Sequence, residues 1–258
     1  MNLFGNLVEK VFSCFPINLI EKFEDKIQRV QGKGTGSLSL KNEVNVFIKF
    51  LENIKSDPKI IFDIGAHQGL WTNEIADKVS NADYYLFEPS SVNFSFLKDR
   101  FSEYKNIYVK NYALSDKSGY ATLFFDFPGS GLSSLVKRDL SHFDIPFESS
   151  ESVQVYTLDS FVKVNKVLPD AIKMDVEGLE LSVLRGGIET LKNVSLIQFE
   201  FGGSNIDSRV FFRDIYTFFK ENNYNLFRLA KNRAIPINEY KESLECFRVT
   251  VYFAFKKI

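Results

Sequence analysis

Cysteine is nearly absent from this chain: Cys14 and Cys246 are the only two among 258 residues, far apart and without a C-x-x-C pair. That spacing signals neither a disulfide framework nor a zinc site, so no metal is expected and a reducing, cytoplasmic setting is compatible. Excess charge of one sign is missing too, since 32 basic residues face 33 acidic ones and no long Lys/Arg run occurs. A nucleic-acid partner would show as a basic excess, so none is expected, and a small-molecule or glycan acceptor is the better starting point. Long hydrophobic runs are lacking as well. The opening M-N-L-F-G-N-L-V-E-K-V-F-S-C-F has no basic start and no small-residue cleavage pattern, and Glu9 and Lys10 interrupt it. It is neither a signal peptide nor a membrane span. Its apolar residues Leu3, Leu7, Val8, Val11, Phe12 and Phe15 recur at helical spacing. A helix packed on the domain is expected rather than peripheral membrane association, because the polar face is not basic.

With 45% hydrophobic and 25% charged residues, the chain can bury a sizeable core in one large α/β domain with an accessory segment. A second helical stretch runs from Pro16 to about Val30, and Q-G-K-G-T-G-S then breaks the pattern as a linker. Residues 41–55 place Val44, Phe47, Ile48, Leu51 and Ile54 on one helical face. We expect an N-terminal helical segment over 1–57 and the main domain over 58–258. From Lys59 strands and helices alternate, which implies a parallel sheet covered on both faces. Y-A-T-L-F-F-D-F and S-V-Q-V-Y-T-L-D read instead as two strands with no helix between them. A long polar loop over 128–150 joins them and is expected to act as an acceptor-side lid. A late strand pair closes the chain.

The segment I-I-F-D-I-G-A-H-Q-G-L-W-T is a strand, an acid at its carboxyl end, two glycines and a helix. Ligands of open α/β sheets bind at such strand ends. The spacing is G-x-x-x-G rather than the G-x-G-x-x-G of dinucleotide sites, so an NAD-dependent oxidoreductase is disfavoured. Asp63 would repel a pyrophosphate but could pair with a cationic ligand. Glu88, in D-Y-Y-L-F-E-P, sits where an acid can accept hydrogen bonds from both ribose hydroxyls. Together the two acids specify a nucleoside carrying positive charge.

D-I-G-A-H-Q-G and F-E-P, followed by N-Y-A-L-S-D-K-S-G and K-M-D-V-E-G-L-E-L-S-V-L-R-G-G, make the chain resemble the FkbM family of S-adenosylmethionine-dependent O-methyltransferases over about residues 58–230. The resemblance implies a class I methyltransferase (Rossmann-like) fold: a seven-stranded, mostly parallel sheet with an antiparallel last strand. It also implies that Asp63, Gly65, Ala66, His67 and Gly69 wrap the methionine end of S-adenosyl-L-methionine. Glu88, followed by Pro89, would hold the ribose, and Ala113, Leu114, Ser115 and Asp116 would lie near the adenine.

The run D-A-I-K-M-D-V-E-G places Lys173, Asp175 and Glu177 at alternate positions, hence on one face of a strand. Gln198 and Glu200 share a face of the implied neighbouring strand. Buried charges of this kind either pair structurally or do chemistry. In the structural alternative Lys173 neutralises Asp175 or Glu200, while Glu177 and Glu180 favour a helix start. In the catalytic alternative Asp175 is the base or substrate anchor, oriented by Lys173, Glu200 grips acceptor hydroxyls, and Glu177 belongs to the same catalytic cluster. His142, in the long loop, is a competing base, and His67 is expected to touch the donor. The function expected is an O-methyltransferase acting on a sugar hydroxyl of a bacterial glycan or precursor; a polyketide-type hydroxyl and a non-catalytic S-adenosylmethionine binder are the alternatives.

Overall fold

The computed structural model describes residues 3–34, 39–57 and 59–257. Three helices come first: α1 (Leu3–Phe12), α2 (Ile17–Val30) and α3 (Leu40–Leu51). The alternating part follows with β1 (Ile60–Ile64), α4 (Leu70–Ala76), β2 (Asp83–Phe87), α5 (Ser91–Arg100) and β3 (Ile107–Lys110). Three short-range strands, β4 (Ala113–Leu114), β5 (Gly119–Phe125) and β6 (Ser149–Tyr156), form a separate small sheet in the order β4-β6-β5. Alternation resumes with α6 (Leu158–Asn165), β7 (Ala171–Met174), α7 (Glu180–Arg185), α8 (Ile188–Leu191), β8 (Leu196–Phe201), α9 (Ser204–Ser208) and α10 (Phe212–Glu221). The last strands are β9 (Tyr224–Ala230), β10 (Arg233–Ile237) and β11 (Thr250–Lys256).

The main sheet has eight strands in the order β10-β9-β11-β8-β7-β1-β2-β3. Neighbours from β8 through β3 are parallel, and β11 runs antiparallel to both β8 and β9. Seven of these strands match the expected arrangement. The eighth, β10, hairpins back onto β9 at the sheet edge. Its Pro236 hides it from a strand-by-strand reading, since proline cannot donate to a ladder and is tolerated at an edge.

Side chains alternate between two cores. Phe62, Ile172, Ile197 and Phe199 face a cluster with α6, α7 and α10. Ile61, Ala171 and Leu196 face another with Val44, Val46, Phe47 and Leu51 of α3 and Trp71 and Ile75 of α4. Phe47 meets the Trp71 ring edge-on at 5.0 Å, so α3 is part of the layer over the parallel strands. The helix expected over 179–191 is broken at Gly186, where an added Cβ would stand 2.0 Å from the Ser115 carbonyl oxygen.

Among the described side chains the expected packing of the first helix on the domain does not occur; Leu3 and Leu7 lie outside them. Val8, Val11 and Phe15 are exposed, and α2 buries no residue. After the Pro16 turn the helices meet each other instead, through Phe12 and Phe23 rings 6.3 Å apart. Among the described residues no helix is long and apolar enough to cross a membrane.

Candidate active site

The cavity at the carboxyl ends of the parallel strands is walled by the β1 turn, the end of β2, the small sheet and the end of β7. It encloses about 690 Å³, open solvent included, within the range of small-molecule sites. Gly65, His67, Glu88, Pro89, Ala113, Leu114, Asp175 and Glu177 wall it, as do Tyr112, Asn93, Phe87 and Leu123. Gly65 has φ +77°, and a Cβ there would stand 1.9 Å from the Asp175 carbonyl oxygen. Only glycine lets the β1 turn lie this close to the end of β7.

Glu88 is 5% exposed. Its Oε2 accepts from the His67 backbone N–H at 2.7 Å and its Oε1 from that of Ser90 at 2.9 Å. Burial nevertheless pushes its pKa up to about 7. Asn111 Nδ2 donates to the carbonyls of Glu88 and Pro89, both at 3.0 Å, and fixes this turn.

Beneath the cavity a polar row crosses three strands in register. Asp63 stands opposite Lys173, and Lys173 opposite Gln198. Asp63 is 0% exposed; its Oδ1 lies 3.0 Å from Lys173 Nζ, and its Oδ2 accepts from the Thr72 hydroxyl at 2.7 Å. Lys173 Nζ also donates to the Gly65 carbonyl at 3.0 Å and lies 4.0 Å from Asp175 Oδ2. Burial alone would depress the lysine; Asp63 and Asp175 outweigh it and raise its pKa. Glu43 of α3 accepts from Gln198 Nε2. Burial pushes Glu43 up to about 7, and burial together with the Asp175 charge raises Glu200 well above the ordinary range.

The expected site residues fall in different surroundings. Asp63 pairs with Lys173 and Thr72 below the cavity wall. Ala66 is buried behind the turn, donating to the Phe87 carbonyl at 3.1 Å. Gly69 is the left-handed cap of α4 against Leu97 and Phe101. Ser115 and Asp116 turn toward each other, with Oγ to Oδ1 3.3 Å, and do not wall the cavity. His142 sits exposed on a 3-10 turn with its ring against Phe143; it does not wall the cavity. Lys173 and Glu200 stand beside the wall rather than in it. Glu180 accepts from the backbone N–H groups of Val176 and Gly178, the helix-start role open to it, and burial pushes it up to about 7.

The long loop crosses the same cavity as Glu88, with Ser130, Gly131, Ser133, Ser134 and Leu135 in its wall. It is latched at several points. His67 Nε2 is 3.1 Å from the Gly129 carbonyl oxygen, and the Ser134 hydroxyl donates to the Glu177 carbonyl at 3.0 Å. Arg138 Nη1 lies 2.8 Å from Glu177 Oε2 and its Nε 3.6 Å from Asp207 Oδ2. Burial, with Asp175 nearby, still drives Glu177 up to about 8. Glu43, Tyr112 and Arg138 were not singled out from sequence. Tyr112 sits in the quoted N-Y-A-L block, whereas Glu43 and Arg138 carry no local motif.

The strand order and the cavity at the ends of β1, β2 and β7 define a class I methyltransferase fold. The model of the methyltransferase FkbM domain matches residues 63–226, more than half of the chain, and the protein belongs to that family of S-adenosylmethionine-dependent methyltransferases. It is similar to the 2-O-methyltransferase NoeI of Sinorhizobium fredii, 26% identical over 67% of this chain and 73% of that protein. It is also 26% identical to the hexuronic acid methyltransferase AglP of Haloferax volcanii, over 61% of this chain and 62% of AglP. A precorrin-6y C5,15-methyltransferase from Geobacter metallireducens superposes at a TM-score of 0.42 with 11% identity, over 83% of this chain and 87% of that one. That superposition is loose, and the fold assignment rests on strand order and the family match.

Proposed function

We propose that the protein moves a methyl group from S-adenosylmethionine to a hydroxyl of a sugar in a glycan or glycan precursor, with Asp175 receiving the hydroxyl proton. The observation that carries this reading is the position of Asp175. It walls the cavity, its side chain is 37% exposed, and its ion-pair contact with Lys173 is a loose 4.0 Å. The buried row below is already closed by Asp63 and Lys173, so Asp175 is the carboxylate left facing an incoming group.

The cavity residues fit the donor. Each Glu88 oxygen receives one backbone N–H and keeps a lone pair for a ribose hydroxyl. Phe87, Ala113, Leu114 and Leu123 give apolar walls for a base, and the surplus of carboxylates suits a cation. Bound there, S-adenosylmethionine supplies a methyl group on a cationic sulfur that leaves as a neutral thioether. The chain does the rest. A hydroxyl is a weak nucleophile at neutral pH, and Asp175 takes its proton as the new C–O bond forms. Lys173, anchored by Asp63 and the Gly65 carbonyl, holds the Asp175 carboxylate in place. Glu200, one strand over, offers hydrogen bonds to neighbouring hydroxyls of the ring.

NoeI is named for a 2-O position and AglP for a hexuronic acid; the names support an oxygen nucleophile and a sugar ring. The test is incubation with methyl-labelled donor and a panel of glycosides, with the label located by NMR. An O-methyl signal is expected. Label on nitrogen or carbon, or none on any sugar while donor binds, contradicts the reading.

A further inference from the structure

The chemistry around Asp175 also restricts what the acceptor ring can carry. Among the described residues, the cavity wall contains no lysine and no arginine. Two cations beside it are paired: Lys173 with Asp63, the Gly65 carbonyl and Asp175, and Arg138 with Glu177 and, at 3.6 Å, with Asp207, its Nε making no hydrogen bond. Against them stand Asp63, Asp175 and Asp207, with Glu177 in the wall itself and Glu43 and Glu200 outside it. Burial holds protons on these three glutamates to higher pH than usual, yet even fully protonated they leave three aspartates facing two cations. Gln198, 1% exposed, has an Oε1 with no hydrogen-bond partner among the described residues; its amide adds an unsatisfied acceptor to the same row. A protonated glutamate and a free amide oxygen can exchange hydrogen bonds with hydroxyl or amino groups. A desolvated anion would find no unpaired cation.

Resting on the assignment of Asp175 to the acceptor side, we propose that the ring methylated here is uncharged or amino-bearing and carries no carboxylate or phosphate of its own. In this the chain departs from AglP. Glu43 of α3, which lies outside the matched residues 63–226, brings its carboxyl to Gln198.

The experiment uses the full chain and matched methyl hexosides and methyl hexuronides of gluco, galacto and manno configuration, which differ only in CH2OH against COO⁻. Like-charge juxtaposition at a binding site costs several kcal/mol. For whichever configuration turns over, the hexuronide should show a kcat/KM at least roughly tenfold lower than the hexoside. Glu200→Gln should narrow that gap, and Glu43→Gln serves if Glu200→Gln does not fold. A hexuronide methylated as fast as its hexoside overturns the inference and leaves methyl transfer to sugars standing. No transfer to either ring, with donor bound, removes the proposed function and this inference with it.

Discussion

At the residue scale, Glu88 and Asp175 both wall the cavity but differ in their surroundings. Glu88 is sunk in the wall, and burial pushes its pKa up to about 7. Its charged form suits a cationic ligand better than its neutral form does, so donor affinity should climb with pH through about 7 and then level, by at most roughly tenfold per unit. Calorimetry across pH 5.5 to 8.5 measures this, and a flat profile would contradict the assignment. Glu88→Ala should weaken donor binding by about 1.5–3 kcal/mol, the range for hydrogen bonds to a charged group; unchanged affinity in a folded variant would remove Glu88 from the ribose. Both acids were legible in the sequence because each closes a strand at a ligand-binding sheet edge. Asp63 looked the same by that criterion, but its partner Lys173 lies 110 residues on, and its register opposite Asp63 appears only when β1 and β7 pair.

At the element scale, alternation of strands and helices was enough to order the parallel part of the sheet. What it could not supply was the long-range geometry of short segments. N-I-Y-V-K-N-Y-A-L reads as one strand, but its two ends belong to different sheets, β3 to the main one and β4 to the small one. The long loop was legible from its length, but its position over the cavity was not. It lies over the Glu88 cavity, held by Arg138, Ser134 and His67. Shortening Ser130–Phe147 to a brief linker should therefore weaken donor binding by roughly tenfold or more, since the loop supplies part of the wall that keeps water from the ligand. Donor affinity that survives the deletion in a folded protein would assign the loop to the acceptor alone.

At the scale of the whole molecule, the helices before β1 divide into two kinds. α2 buries nothing, whereas α3 places Val44, Val46, Phe47 and Leu51 in the core, worth about 1.5–3 kcal/mol each. Deleting residues 1–30 should leave the melting temperature within a few degrees, and deletion through Leu51 should abolish folding, because the loss approaches the whole margin of about 5–15 kcal/mol. Equal effects of the two truncations would contradict this division. The buried acids predict an unusual pH dependence. Glu43, Glu88 and Glu180 are pushed from 4.5 up to about 7 and Glu177 up to about 8. Between about 4.5 and those values the folded chain holds more protons than the unfolded one, so stability falls as pH rises through that window. Thermal unfolding should give a lower melting temperature at pH 8.5 than at pH 5.5, and the opposite order would show that these groups are charged when folded.

The claim on which the rest depends is that Asp175 takes the acceptor's proton, and Asp175→Asn tests it most directly. The change keeps the shape and removes the charge. Donor affinity by calorimetry should stay near that of the unaltered protein, while single-turnover methyl transfer to a hexoside should slow by roughly 10²- to 10⁴-fold, the usual share of a general base. A folded Asp175→Asn protein that binds donor and transfers methyl at the normal rate would contradict the account.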